Sequence, residues 1–201
     1  RLRLGECMPD KLIALSFDDG RDQDFAVIDL LCLLGVPATF YLTYLNIRDK
    51  LTFRKDIYSL QEIVQGYTNS LVEVGCHGWG HIDMEDHDEP DRRILEVVNA
   101  KERLQDFFLT EVVSYAFPFG KSTEGFARYV SGHFESCRLY QTAYTWLWQV
   151  PKIWMPEGLI SGEKFKNLLS YNPDLTHDDG DQFYHFAGHA GDILRYSAQE
   201  L

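Results

Sequence analysis

Leu12-Ile13-Ala14-Leu15-Ser16-Phe17-Asp18-Asp19-Gly20 is the stretch on which the fold turns. Residues 12–17 form a short apolar run of the length of a buried strand, and two carboxylates followed by glycine end it in a sharp loop. On its carboxyl side, residues 25–35 repeat apolar side chains at helical spacing and stop at Gly35 and Pro37, after which residues 38–43 resume as a strand. The same unit recurs. A helical stretch at 60–67 is followed by a strand at 71–76, a long amphipathic helix over about 90–109 that Pro90 opens at its first turn, and a strand at 112–117. A helix over 123–131 comes after Pro118. Residues 136–148 are aromatic and mixed, with a short strand at 136–137. Residues 159–169 have helical spacing, 178–181 form an acidic turn, and 183–187 read as a last strand with a helix behind it. Strands alternating with helices predict an α/β fold with a mostly parallel sheet, either closed into a barrel or open and doubly wound.

A chain of 201 residues, 45% of them hydrophobic, buries one substantial core and is short for two, so residues 1–201 are expected to form a single domain. The formal charge of −12, with no basic block, argues against nucleic acid or an anionic membrane as partner, because both are bound mainly through clustered Lys and Arg. Cys7, Cys32, Cys76 and Cys137 are scattered without a CxxC pair; they read as buried thiols, with a disulfide as the alternative. No run is long enough to span a bilayer, and residues 1–10 lack the apolar core of a signal peptide, which leads us to expect a soluble chain and favours the cytoplasm.

Catalytic groups in a parallel sheet gather at the carboxyl ends of the strands. The polar residues of interest fall there: Asp18 and Asp19 after the first strand, His77 and His81 after the strand ending at Cys76, Phe117-Pro118-Phe119-Gly120 after another, and His185 and His189 around the last. His77 and His81 lie four apart, so one helical turn would bring both to a single cation, whereas the glycines between them speak against a regular surface helix. Adjacent carboxylates on a bending loop diverge, which lets one bind a metal while the other takes a proton; the plainer alternative is a helix cap and a solvated group. One Asp with two His leaves coordination positions open for water and substrate, as a catalytic zinc-type site requires.

Leu15-Ser16-Phe17-Asp18-Asp19-Gly20 together with His77-Gly78-Trp79-Gly80-His81 resembles the polysaccharide deacetylases of carbohydrate esterase family four, the NodB-like homology domain. A later aromatic-Pro motif and a final histidine follow in the family's order, and the match spans most of the chain. The resemblance implies a distorted (β/α) barrel of about seven strands. It implies one divalent metal ion, usually zinc, held by Asp19, His77 and His81, with Asp18 as the catalytic base. The substrate it implies is a carbohydrate, an N- or O-acetylated saccharide that loses its acetyl group. Ala187-Gly188-His189 occupies the place of the family's Leu-x-His motif, which makes His189 the expected proton donor to the leaving group, with His185 as the alternative. Trp79, inside the metal motif, and Phe119 are the expected sugar-facing aromatics.

Two departures from the family pattern matter. Ala116-Phe117-Pro118-Phe119 stands where Arg-x-Pro-aromatic is usual, which leaves the charge partner of Asp18 unassigned. Arg138, after the strand at 136–137, is the candidate replacement, an ordinary surface arginine being the alternative. Gly78 replaces a usual Ser or Thr, so a loop hydrogen bond is expected to be missing. His87, His133 and His177 have no pattern and read as surface residues. Two other functions fit the same residues: hydrolysis of a formamide or other small amide, and a carbohydrate-binding barrel without catalysis.

Overall fold

The first strand, β1 (Leu12–Asp19), runs through both carboxylates before the chain turns at Gly20. The computed structural model describes residues 12–53, 59–140, 153–154, 158–159 and 183–191. Helix α1 (Asp24–Leu34) stops where expected: Gly35 sits at φ 69° and its N–H reaches the carbonyls of Leu31 and Cys32, a left-handed cap that suits glycine. β2 (Ala38–Leu42) follows, then α2 (Tyr44–Phe53), for which the sequence carries no signal of its own. Its first amides bond to another loop, Tyr44 N–H to the Gly78 carbonyl and Leu45 N–H to that of Trp79. The donors a helix start leaves open are thus satisfied by tertiary contact rather than by a local cap.

α3 (Leu60–Tyr67) starts on a capping box, Ser59 and Glu62 each bonding the other's backbone N–H. β3 (Val72–Cys76) leads to the long helix, which has three parts: α4 (Pro90–Arg93), opened by its proline, a π-helical segment (Ile94–Asn99), and α5 (Ala100–Phe108). β4 (Ser114–Ala116) is shorter than its apolar run. A 3₁₀ turn (Pro118–Gly120), α6 (Glu124–Ser131) and β5 (Ser136–Arg138) follow, with Thr123 capping α6 through the Phe126 N–H. The remaining described strands are β6 (Ile153–Trp154), β7 (Gly158–Leu159) and β8 (Phe183–Gly188). The helix expected over 159–169 is corrected at its first residue, because Leu159 pairs with Ala187 as a strand; residues 160–169 lie outside the described residues. So do the acidic turn at 178–181, His177 and Cys7, and most of the expected final helix, of which residues 190–191 are described.

All the strand pairs are parallel, in the order β6-β5-β4-β3-β2-β1-β8-β7. This is the expected distorted (β/α) barrel; among the described residues eight strand segments are paired, the two at the edges only two residues long. Among the described residues no ladder joins β6 to β7. Aromatic residues fill much of the core: Phe17 stacks on Phe40 at 5.0 Å, and Tyr115 packs on Phe117 and Phe134, both at 5.2 Å. Cys32 and Cys76 are free thiols, and Cys76 and Cys137 are buried. Among the described residues no helix is long and apolar enough to cross a membrane.

Candidate active site

The carboxyl ends of β1, β3, β5 and β8 open onto a cleft of about 360 Å³, within the size range of small-ligand sites. Asp18 and Asp19 both reach it. Neighbouring residues of a regular strand face opposite sides of a sheet, so Asp19 should share the face of Leu15 and Phe17 in the core. A φ of 82° at Asp19 breaks the pleat and turns its carboxylate into the cleft, a conformation that aspartate tolerates better than most residues. Asn46 of α2 fixes the bend by donating to the Asp19 carbonyl at 2.7 Å.

His77 and His81 converge on Asp19, but not through a helical turn. Residues 77–81 are a loop in which Gly78 (φ 83°) and His81 (φ 56°) are left-handed, and the imidazoles meet edge to face at 4.9 Å. Their Nε2 atoms stand 3.5 and 3.2 Å from Asp19 Oδ1, an oxygen that is buried and accepts no well-formed hydrogen bond. His77 Nδ1 lies 2.7 Å from the Ala116 carbonyl, which fixes the proton there and, in the neutral ring, leaves the Nε2 lone pair facing a carboxylate lone pair. Only a proton or a cation between them resolves that arrangement. Three ligand atoms lie within 4.8 Å of one another, and a tetrahedral centre with bonds of about 2.1 Å sets its donors about 3.4 Å apart. The donor set therefore fits a small divalent cation. Burial alone pushes the Asp19 carboxyl up, but the facing imidazoles outweigh it and hold the group well below the usual carboxylate range. Arg21 Nε also donates to its Oδ2 at 2.7 Å.

Asp18 has a different partner. Arg138, at the end of β5, is buried and donates through Nη2 to Asp18 Oδ1, with its guanidinium 5.0 Å above the Tyr41 ring. It is not a surface arginine, and it faces Asp18 from a strand that the sequence barely marks. Tyr41 is buried beneath that guanidinium and does not line the cleft.

One wall is aromatic. Phe119, 59% exposed at φ 58°, packs edge to face on His81 at 4.5 Å, and Tyr140, 38% exposed, lines the same cleft. A Cβ on Gly120 would lie 2.4 Å from that of Tyr140, so only glycine lets the two segments close up. Trp79 is not among the residues that line the cleft: its ring packs on Tyr44 at 4.4 Å and against the core. Tyr140 was missed, its signal lost in the mixed aromatic run after residue 136. His189 follows β8 directly and lines the cleft, with Nε2 at 3.5 Å from Asp19 Oδ2. His185 is in register with Ala14, about 13 Å of strand below Asp18. His87 and His133 are exposed, as expected.

Solved structures share this fold at low identity. The Bc1960 peptidoglycan N-acetylglucosamine deacetylase is 18% identical, with 94% of this chain and 77% of that one covered at a TM-score of 0.63. The polysaccharide deacetylase Bc1974 from Bacillus cereus is 15% identical over 94% and 88%, at 0.55. BA3943 from Bacillus anthracis, a pseudoenzyme of the same class, is 16% identical over 94% and 61%, at 0.56. No curated protein matches the chain. Residues 5–133 match the polysaccharide deacetylase family, and with the barrel these place the chain in it: the protein belongs to the polysaccharide deacetylase family.

Proposed function

We propose that the protein is a divalent-metal-dependent hydrolase that removes acetyl from an N- or O-acetylated saccharide. The observation that carries this reading is the buried Asp19 Oδ1 faced by two imidazole nitrogens, with an Asp18–Arg138 pair beside it at the same cleft. A divalent cation, zinc by donor type, would be held by Asp19, His77 and His81 and would supply Lewis acidity toward water and the acyl carbonyl. Asp18 is the base: it takes a proton from the attacking water as the new C–O bond forms, and Arg138 keeps its carboxylate oriented. His189 gives a proton to the departing nitrogen or oxygen as its bond to the acyl carbon breaks, which releases acetate and the free amine or hydroxyl. Phe119 and Tyr140 offer flat apolar faces on which a sugar ring stacks. Trp79 shapes the turn between the histidines instead.

Likeness to a pseudoenzyme gives the binding-only reading a specific basis. Against it stands Asp18, half-buried and ion-paired to a buried arginine, an arrangement that a mere sugar-binding surface does not need. The test is metal content of the purified protein combined with acetate release from a panel of acetylated saccharides. One equivalent of metal with acetate release is expected. Saccharide binding without release from any member of the panel would favour the binding-only barrel, and release from small amides alone would move the substrate class.

A further inference from the structure

Glu96 lies in the π-helical segment, outside the cleft, and is almost fully buried. Its Oε2 accepts from the Trp79 N–H at 2.8 Å and from the Gly80 N–H at 3.1 Å, with Oε1 at 3.3 Å from the latter. The opposite side of the same turn is held by its carbonyls: Thr43 Oγ1 donates to that of His77 at 3.4 Å, and the first amides of α2 to those of Gly78 and Trp79 at 3.1 and 3.0 Å. The turn is clamped between a helix start and a carboxylate, and His77 and His81 are its two ends.

We propose that Glu96 is a positioning residue for the metal-ligand pair, fixing the 78–80 turn so that both imidazoles face Asp19. Successive N–H groups around a left-handed residue make a concave site for an anion, and a carboxylate bonds them more strongly than a neutral acceptor does. His81 at φ 56° is a conformation that non-glycine residues hold only when their surroundings over-determine it. Glu96 supplies that constraint from one side. A Cβ at Gly78 would come within 2.6 Å of Glu96 Oε2, so the carboxylate occupies the space that a side chain at position 78 would need. The absent hydroxyl of Gly78 and the buried Glu96 are two halves of one arrangement. π-Helical turns recur at functional sites, and this one carries the clamping residue.

The inference rests on the metal reading above, and the experiment separates the two. Metal affinity is measured by chelator competition for wild type, Glu96→Ala, Glu96→Gln and, as a control in the same helical segment, Val97→Ala. Amide exchange at residues 79 and 80 is followed in the metal-free proteins. Glu96→Ala is expected to weaken metal binding tenfold or more, the usual effect of removing a group that orients a ligand, and to lose protection at those two amides. Its kcat should fall more than its KM rises. Glu96→Gln, which keeps one acceptor oxygen, should fall between wild type and alanine, and it carries the comparison if the alanine variant does not fold. Val97→Ala should lose stability without losing metal affinity. No metal uptake by the wild type would overturn the metal reading itself. Wild-type uptake with unchanged affinity and unchanged exchange in the Glu96 variants would overturn the positioning role alone.

Discussion

At the residue scale, Asp18 and Arg138 are coupled through one contact, so their substitutions should differ in degree rather than kind. Asp18→Asn keeps the shape but cannot take the proton, and turnover should fall about a hundredfold or more with metal content unchanged. A variant that loses its metal would instead make Asp18 a ligand. Arg138→Gln leaves the base without its orienting cation and should lower kcat by about tenfold or more with KM within about twofold, whereas Arg138→Lys should recover part of it. Equal turnover in Arg138→Gln would remove this residue from the mechanism. His189→Ala should hurt hydrolysis of a saccharide acetamide but spare activated aryl acetates, whose leaving groups need no proton; rescue of His185→Ala instead would reassign the donor. The sequence made Asp18, Asp19, His77, His81 and His189 readable because each sits beside a short recognisable motif. Arg138 could be named only from its place after a short strand, and Tyr140 and Glu96 went unmarked, because all three are brought to the cleft or its supports by contacts between segments far apart in the chain.

At the level of elements, the helices with caps and periodic faces were legible and α2 was not. α3 announces itself through Ser59 and Glu62, and α1 through Gly35; α2 has its first amides bonded to the 78–79 carbonyls and so depends on a loop that local sequence cannot see. α1 also carries a buried acid. Burial pushes the Asp24 carboxyl up to about 8, against a hydrogen bond donated by Tyr67 OH at 2.8 Å that lowers it. Between the ordinary value of 3.8 and about 8, the folded protein holds a proton that the unfolded chain has released. The stabilisation from this group is complete below the lower value and is lost as pH rises through the upper one. Asp24→Asn keeps an acceptor for Tyr67 and cannot ionise, so its melting temperature should gain on that of wild type as pH is raised from about 5 to 9. Parallel melting curves across that range would show that Asp24 does not titrate in the folded state.

For the molecule as a whole, the alternation of strands and helices foretold the parallel sheet, while its closure into a distorted barrel rested on the motif resemblance. The proposed ligands come from two strand ends, so a bound cation ties β1 to β3 and stabilises only the folded form. At a thousandfold excess over Kd this amounts to about 4 kcal/mol, or roughly 10 °C in Tm for a chain of this size. A chelator should therefore lower Tm by that order, and an unchanged Tm would argue against a metal on these residues. The pairing of β8 with β1 has another consequence. It joins residue 12 to residue 183, whereas Asp19, His77 and His81 all precede residue 82. During synthesis from the amino end, the residues proposed to grip the cation emerge long before β8, which brings His189. In that interval β1 has one unpaired edge, apolar and open to the wrong neighbour, a hazard that ends only when β8 is made. A nascent chain thus exposes the residues proposed as metal ligands before the one proposed as proton donor.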